Sequence, residues 1–369
     1  MIGDRIRLAR RKARLSLRDL AAAMDHKVTA QAISKYERCR DIPSAGVIRA
    51  LAQALEVSVD YLSHTPGPAL SGVEFGSKAS ASPAYRASVE IEVLERVERY
   101  LQLEHMLELD SADWKSPVSS PRRIRAIEDA EDLAREVRER WQLGIDPIPN
   151  LTELFEEKGL KVLMVPLPDP VSGFTCMVSR QNGTFDLPVI VVNSRSSLER
   201  RRMTLGYELA HRLVDPSDLE DRTSERVANL FSGAFLMPPE HLLREVGTHR
   251  NALGYNELIA MKRLYRVSGA ALLLRLRQVG AINESILTYT FQSIARGWRT
   301  QEPCELEPER ERGQRERPLR FERLCYRALA EDYVSLNRAA ELLQLPLLRV
   351  EAGLRGPQGR HEDDCGAEG

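Results

Sequence analysis

Three side chains able to act on a metal or a water molecule share one register near the middle of the chain. Tyr207, Glu208 and His211 lie within Gly206-Tyr207-Glu208-Leu209-Ala210-His211, and Glu225 follows fourteen residues after His211. On a helix, positions 207 and 211 stand one above the other, a turn apart, with 208 beside them. With histidine at 207 the segment would read H-E-x-x-H, in which two imidazoles hold zinc and the glutamate activates water. Here the first position is a phenol. Tyrosine ligates metal only as phenolate, and its ordinary pKa of roughly 10 means that a strong cation must drive the proton off. A catalytic zinc takes three protein ligands and leaves one position open. The candidate metal residues are therefore His211, Glu225 and, at the altered position, Tyr207, with Glu208 as the catalytic base only if the site is active. The cofactor expectation is none, or zinc.

Two helices must mount these residues. Over Glu199–Val214, the residues Met203, Gly206, Ala210, Leu213 and Val214 form a packing stripe. Thr204, Tyr207, Glu208, His211 and Asp215 fall on the neighbouring side, as ligands pointing into a cleft require. The second helix, Asp221–Leu236, carries Glu225 and packs through Val227, Ala228, Leu230, Phe231, Ala234 and Phe235. Upstream, Lys161–Val165, Gly173–Val178 and Pro188–Asn193 are short β-rich runs that predict a small sheet. His241 and His249 lie past the Pro238-Pro239 break and are not expected to replace the missing imidazole. Taken singly, His211 reads as a half-buried structural histidine and Glu208 as a solvated carboxylate. Only their joint register with Glu225 argues for a metal-site ancestry.

This combination resembles the ImmA/IrrE-type metallopeptidases over roughly residues 146–276. Its carriers are the strand ending in Asn193, Arg200-Arg-Arg-Met-Thr-Leu205, the helix around Glu208, and Glu225-x-x-Ala228-Asn229-x-Phe231 through Leu236-Met237-Pro238. The resemblance implies a zincin-like fold with a first ligand at 207, general base Glu208, second ligand His211 and third ligand Glu225. Position 207 departs from that pattern and leaves three readings. One is a degenerate domain kept for sensing or partner binding. The others are a zinc site that uses Tyr207 or water, and a changed residue in an otherwise active parent.

The front of the chain is a different kind of object. Residues 1–64 carry twelve Lys/Arg against seven Asp/Glu, although the whole chain has a net charge of −1. Short apolar stripes predict five helices there, the second capped by Ser16 and the third running Thr29–Arg38. A basic bundle of this kind is a helix-turn-helix candidate. Its third helix presents Thr29, Gln31, Ser34 and Lys35 opposite the inward Ile33 and Tyr36. Gln31 can read an adenine edge, and Arg18, Arg38 and Arg40 are placed for phosphates. Residues 5–62 resemble the Xre/Cro/C1 repressor family through Ile6-Arg7-Leu8-Ala9-Arg10, Ser16-Leu17-Arg18-Asp19-Leu20-Ala21 and Ala32-Ile33-Ser34-Lys35-Tyr36-Glu37-Arg38. Cys39 stands where that family usually has glycine. The resemblance implies double-stranded operator DNA as partner and a homodimer.

A length of 369 residues suits two or three domains, and 43% apolar residues can build their cores. The expected division is a helix-turn-helix domain at 1–64, a linker and long helix at 65–123 and a peptidase-like domain at 124–298. A solvated charged linker at 299–318, a C-terminal helical docking or dimerisation element at 319–355 and a disordered tail at 356–369 complete it. Five scattered cysteines without a C-x-x-C pair fit a reducing compartment. With no apolar membrane-length run and no signal-like N-terminus, a cytoplasmic location without membrane partners is expected. The fold class expected is α+β, mostly α. The function expected is a sequence-specific transcriptional regulator whose degenerate metallopeptidase-like domain senses or binds a partner. The competing expectation is a zinc endopeptidase cleaving itself or a partner repressor in a stress, phage or toxin–antitoxin response.

Overall fold

In the computed structural model, the described residues are 2–57, 59–63, 69–74, 83–109, 114–179, 187–217 and 219–356. The chain divides into two compact units, a larger one of residues 1–94 with 113–318 and a smaller one of residues 95–112 with 319–369.

The larger unit begins with five helices, α1 (Ile2–Lys12), α2 (Leu17–Ala23), α3 (Ala30–Glu37), α4 (Ala45–Leu55) and α5 (Val59–Ser63). Ser16 starts α2 with a reciprocal capping box to Asp19, and the Thr29 and Ser44 hydroxyls cap α3 and α4 by accepting from Ala32 N and Val47 N. Ile6, Ala9, Leu20, Ile33, Leu51, Leu55 and Leu62 close one core. Asp25 and His26, both left-handed, make the turn from α2 to α3. Two arginines of α1 serve the bundle rather than DNA. Arg10 forks onto the buried Glu37 carboxylate at 2.6 and 2.9 Å, and Arg5 donates to the Tyr61 carbonyl at 2.5 Å.

The mixed part follows. Strands β1 (Ala69–Glu74), β2 (Lys161–Val165), β3 (Gly173–Ser179) and β4 (Leu187–Asn193) form a sheet of order β1-β3-β4-β2. The β2–β4 pair is parallel, with Val162 opposite Ile190, and the other two pairs are antiparallel. The three predicted runs are all present, and β4 is buried along its full length. The segment 65–123 is expected as a linker and a long helix. Residues 69–74 add the edge strand, and a helix, α6, occupies Pro83–Met106. Ile91 of α6 is buried within the helix-turn-helix core, and the Tyr85 hydroxyl donates to the Pro166 carbonyl at 3.4 Å.

Helices α7 (Asp129–Arg140), α8 (Leu151–Glu157), α9 (Leu198–Leu213) and α10 (Asp221–Leu236) pack on the sheet and one another. α11 (Pro239–Val246), α12 (Tyr255–Tyr265), α13 (Gly269–Gln278) and α14 (Glu284–Gln292) complete the core around Phe231, Phe235, Leu272 and Tyr265. α9 and α10 approach closely at Gly206, where an added Cβ would lie 2.5 Å from Ser232 Oγ.

The segment 299–318, expected as a solvated charged linker, is instead fastened to this core. Glu307 is 0% exposed and accepts from Arg201 at 2.6 and 3.2 Å. Glu316 accepts a forked pair from Arg202 at 2.7 and 2.8 Å. Lys262, itself buried, pairs with Glu199 and lies 3.5 Å from Glu302. Charge runs are solvated by default, but a buried cation on the facing helix reverses that default by supplying the missing partner. In the smaller unit, the second half of α6 joins α15 (Arg320–Ala330), α16 (Leu336–Leu343) and α17 (Leu347–Arg355). Tyr100, Leu103, Leu324, Ala328, Leu342 and Val350 form its core. The tail expected to be disordered lies, from residue 357 on, outside the described residues. Among the described residues, no helix is long and apolar enough to cross a membrane.

Candidate functional site

α9 is a buried helix on most of its circumference, which fixes the orientation of what remains accessible. Ser197 caps its N-terminus through an oxygen that accepts from Arg200 N at 3.4 Å. Leu205, Leu209 and Leu213 enter the core, and of the expected stripe Gly206, Ala210, Leu213 and Val214 are buried and Met203 is half-buried. Glu199, Arg201 and Arg202, which carried no functional expectation, are buried and ion-paired. Their signal was the run Arg200-Arg-Arg on a helix that also had to pack, since arginines at core positions require buried acids elsewhere.

Tyr207 and His211 meet edge to face one turn apart, with ring centroids 4.7 Å from each other and planes at 71°. Both are half-buried, and Glu208 beside them is buried at 6% exposure. Burial, then the charges of Glu208 and of Glu225 on α10, push the Tyr207 phenol up to about 12. That dependence places both carboxylates within electrostatic reach of the phenol. α10 holds Glu225 half-buried, whereas Val227, Ala228 and Phe231 of the same helix are buried.

The environment at position 207 opposes ionisation, whereas a phenolate ligand demands it. Among the described residues, no three His, Cys, Asp or Glu side chains come together in a way that could hold a metal ion. The residues present supply one imidazole and one carboxylate toward a catalytic zinc that takes three protein donors. They do not fit that metal. His241 is engaged elsewhere. Its Nδ1 lies 2.7 Å from the hydroxyl of the buried Tyr265, with Asp146 at 4.0 Å from Nε2.

A cleft of about 1000 Å³ opens beside His211. One wall is the segment Val118–Arg123, held to the end of α9 by Arg122 N donating to Leu213 O at 2.7 Å and Asp215 N donating to Arg122 O at 3.0 Å. His211, Arg212, Val214, Asp215 and Pro216 also line the cleft, with Ser224 of α10. Tyr207, Glu208 and Glu225 are not among the residues facing it. The polar column expected on one side of the helix is therefore split, with His211 lining the cleft and Glu208 buried.

At the other end of the chain, Arg18, Thr29, Gln31, Lys35, Arg38 and Arg40 are exposed, and Ser34 is partly so. Thr29 Oγ1 accepts from Ala32 N at 3.2 Å, which assigns its oxygen to capping and leaves its O–H to donate. Gln31, Ser34 and Lys35 share α3 with the buried Ile33 and Tyr36, so one helix is anchored through one side and polar on the other. Cys39 takes a left-handed φ of 54°, the conformation in which glycine is ordinarily preferred.

Comparison with known proteins agrees with both modules. The family described as helix-turn-helix matches residues 6–62, and the family described as IrrE N-terminal-like domain matches residues 155–277. No curated protein matches the chain. The chain thus joins a helix-turn-helix domain to an IrrE-like, metallopeptidase-type domain.

Proposed function

We propose that the protein is an operator-binding transcriptional regulator in which the IrrE-like domain works as a sensing or partner-binding module and not as a hydrolase. The carrying observation is position 207. Its phenol stands half-buried beside His211, where a zinc hydrolase of this frame needs an imidazole. The DNA-binding half rests on the exposed polar side of α3, with Arg18, Arg38 and Arg40 as phosphate contacts and Gln31 as the base reader. Regulators with one recognition helix per chain commonly bind as two-fold dimers on palindromic sites, so a homodimer belongs to the same proposal. Selection of binding sites from random DNA supplies the probe. Gln31→Ala with Lys35→Ala is then expected to abolish the preference for the selected site and leave weak, salt-sensitive binding. Unchanged site preference in that double variant would refute α3 as the reading helix.

A further inference from the structure

We propose that α17 is where two copies of this chain meet. Its exposed leucines, Leu347, Leu348 and Leu354, with Leu345 of the turn before it, dock onto the same face of a second copy. The proposal rests on the homodimer given to the operator-binding reading and names the surface that makes it.

α15, α16 and α17 repeat the plan of the front module without its chemistry. Ser335 caps α16 by accepting from Arg338 N at 3.2 Å, Gln344 ends it with a left-handed φ of 54°, and α17 follows Pro346. A capped helix, a tight turn and a second helix, packed on a third, is a helix-turn-helix arrangement. The exposed side of α3 offers Gln31 and Lys35, with Ser34 partly exposed. α17 offers leucine instead. It packs inward through Val350, and Gly353 lies against Tyr326 of α15. Leu348 projects with 77% of its surface exposed, and Leu345, Leu347 and Leu354 are 36%, 41% and 41% exposed. Leu347 and Leu354 stand two turns apart on one line with Leu348 beside them, so these leucines share a face. Such a face has no donor or acceptor for a base edge, and it gains free energy when covered.

Charge, shape and area favour a second copy as the cover. Glu351 and Arg355, the charged residues of this face, pair with each other at 2.9 Å, while Arg349 stands round the helix within electrostatic reach of Tyr326. The face therefore carries no net charge and meets its own image without like-charge repulsion, as an isologous two-fold contact requires. Ala352, one turn beyond Leu348, is small and exposed. Two α17 helices crossing antiparallel can seat each Leu348 against Ala352 of the other copy. The four leucines expose about as much area as two whole leucine residues, on the order of 300 Å² per copy. With a polar rim on both copies the contact reaches roughly 1,000 Å², the lower limit for a specific interface. That area suits a dimer of modest affinity, reinforced when two half-sites on DNA hold both copies.

The test is sedimentation of the full chain over about 1–100 μM, where a reversible monomer–dimer equilibrium is expected. Leu348→Asp, at a largely exposed position that does not threaten folding, should raise the dimer dissociation constant at least about tenfold, and Leu354→Asp should do the same. Ile42→Asp, at an exposed apolar residue of the front module, should leave it unchanged. A full chain that stays monomeric throughout overturns the proposal. So does a dimer that survives both leucine variants, or one that Ile42→Asp dissolves. On the selected operator, Leu348→Asp should lose the cooperative filling of two half-sites and keep the preference for a single half-site, so the reading by α3 stands or falls separately. Arg349→Gln should leave the salt dependence of operator binding unchanged. A slope reduced by about one phosphate contact would make α17 a second DNA reader and overturn its docking role.

Discussion

At the scale of single residues, the structure shows where one atom decides packing. At Gly206 the backbones of α9 and α10 come so close that a Cβ would meet Ser232 Oγ at 2.5 Å and the Ser232 Cα at 3.2 Å. Gly206→Ala should therefore lower unfolding stability by about 1–3 kcal/mol in urea, despite the better helix propensity of alanine. An increase would show that the helices separate freely. Cys39 is the converse case. Its φ of 54° strains a β-carbon, and the family resembled at this end of the chain usually has glycine there. Cys39→Gly should raise stability by roughly 0.5–1 kcal/mol, the relief of strain exceeding the added entropy of the unfolded chain. Both positions were visible in sequence, Gly206 beside the candidate site and Cys39 as a departure from the family. The contact partner of Gly206 was not, because Ser232 lies on another helix with no local pattern linking the two.

Among elements, helices and strands were the most legible features. Strand β2 coincides with its predicted run, and α3 lies one residue inside its expected ends at each side, with Thr29 and Arg38 as caps. Apolar periodicity and capping residues act locally, which is why they can be read without a partner. The strap at 299–318 was misjudged for the opposite reason. Its carboxylates are neutralised by Arg201 and Arg202, a hundred residues earlier, and composition alone cannot pair them. Burial pushes the Glu307 carboxyl up, but hydrogen bonds from Arg201 and from the Arg315 and Gly313 backbone outweigh it. The net pKa lies below the ordinary carboxylate value. The sign for stability follows. A depressed folded-state pKa adds stability above the unfolded value, roughly 4.3, and that contribution is lost as pH falls through the folded one. Arg201→Ala leaves Glu307 buried without its cation and should cost about 3–5 kcal/mol at neutral pH. The penalty should shrink in acid, as the stranded carboxylate takes up a proton. A pH-independent penalty in thermal unfolding would contradict the assigned pair.

For the whole molecule, the division into units assigns each core its own cover. In the smaller unit, Tyr100 lies against Phe321 with ring centroids 5.4 Å apart, and Leu103 and Leu107 are buried with Leu324 and Leu329. Ending the chain at Pro318 removes that cover, so the truncated protein should bind a hydrophobic dye strongly and aggregate beyond a dimer, whereas the full chain should do neither. A clean truncated monomer would show that 319–356 is dispensable for the packing of α6. Fold class and the two-module layout were legible because both modules carry dense local motifs. The metal-site question was legible as a question only, since a tyrosine's protonation depends on burial and on a carboxylate from a second helix. The most direct test of the central claim is the zinc content of the full chain after equilibrium dialysis, compared with Tyr207→His. Far less than one zinc per natural chain is expected and close to one in the variant, with the gain lost again when Glu225→Ala is added. One tightly held zinc in the natural protein, lost in Tyr207→Phe, would contradict it.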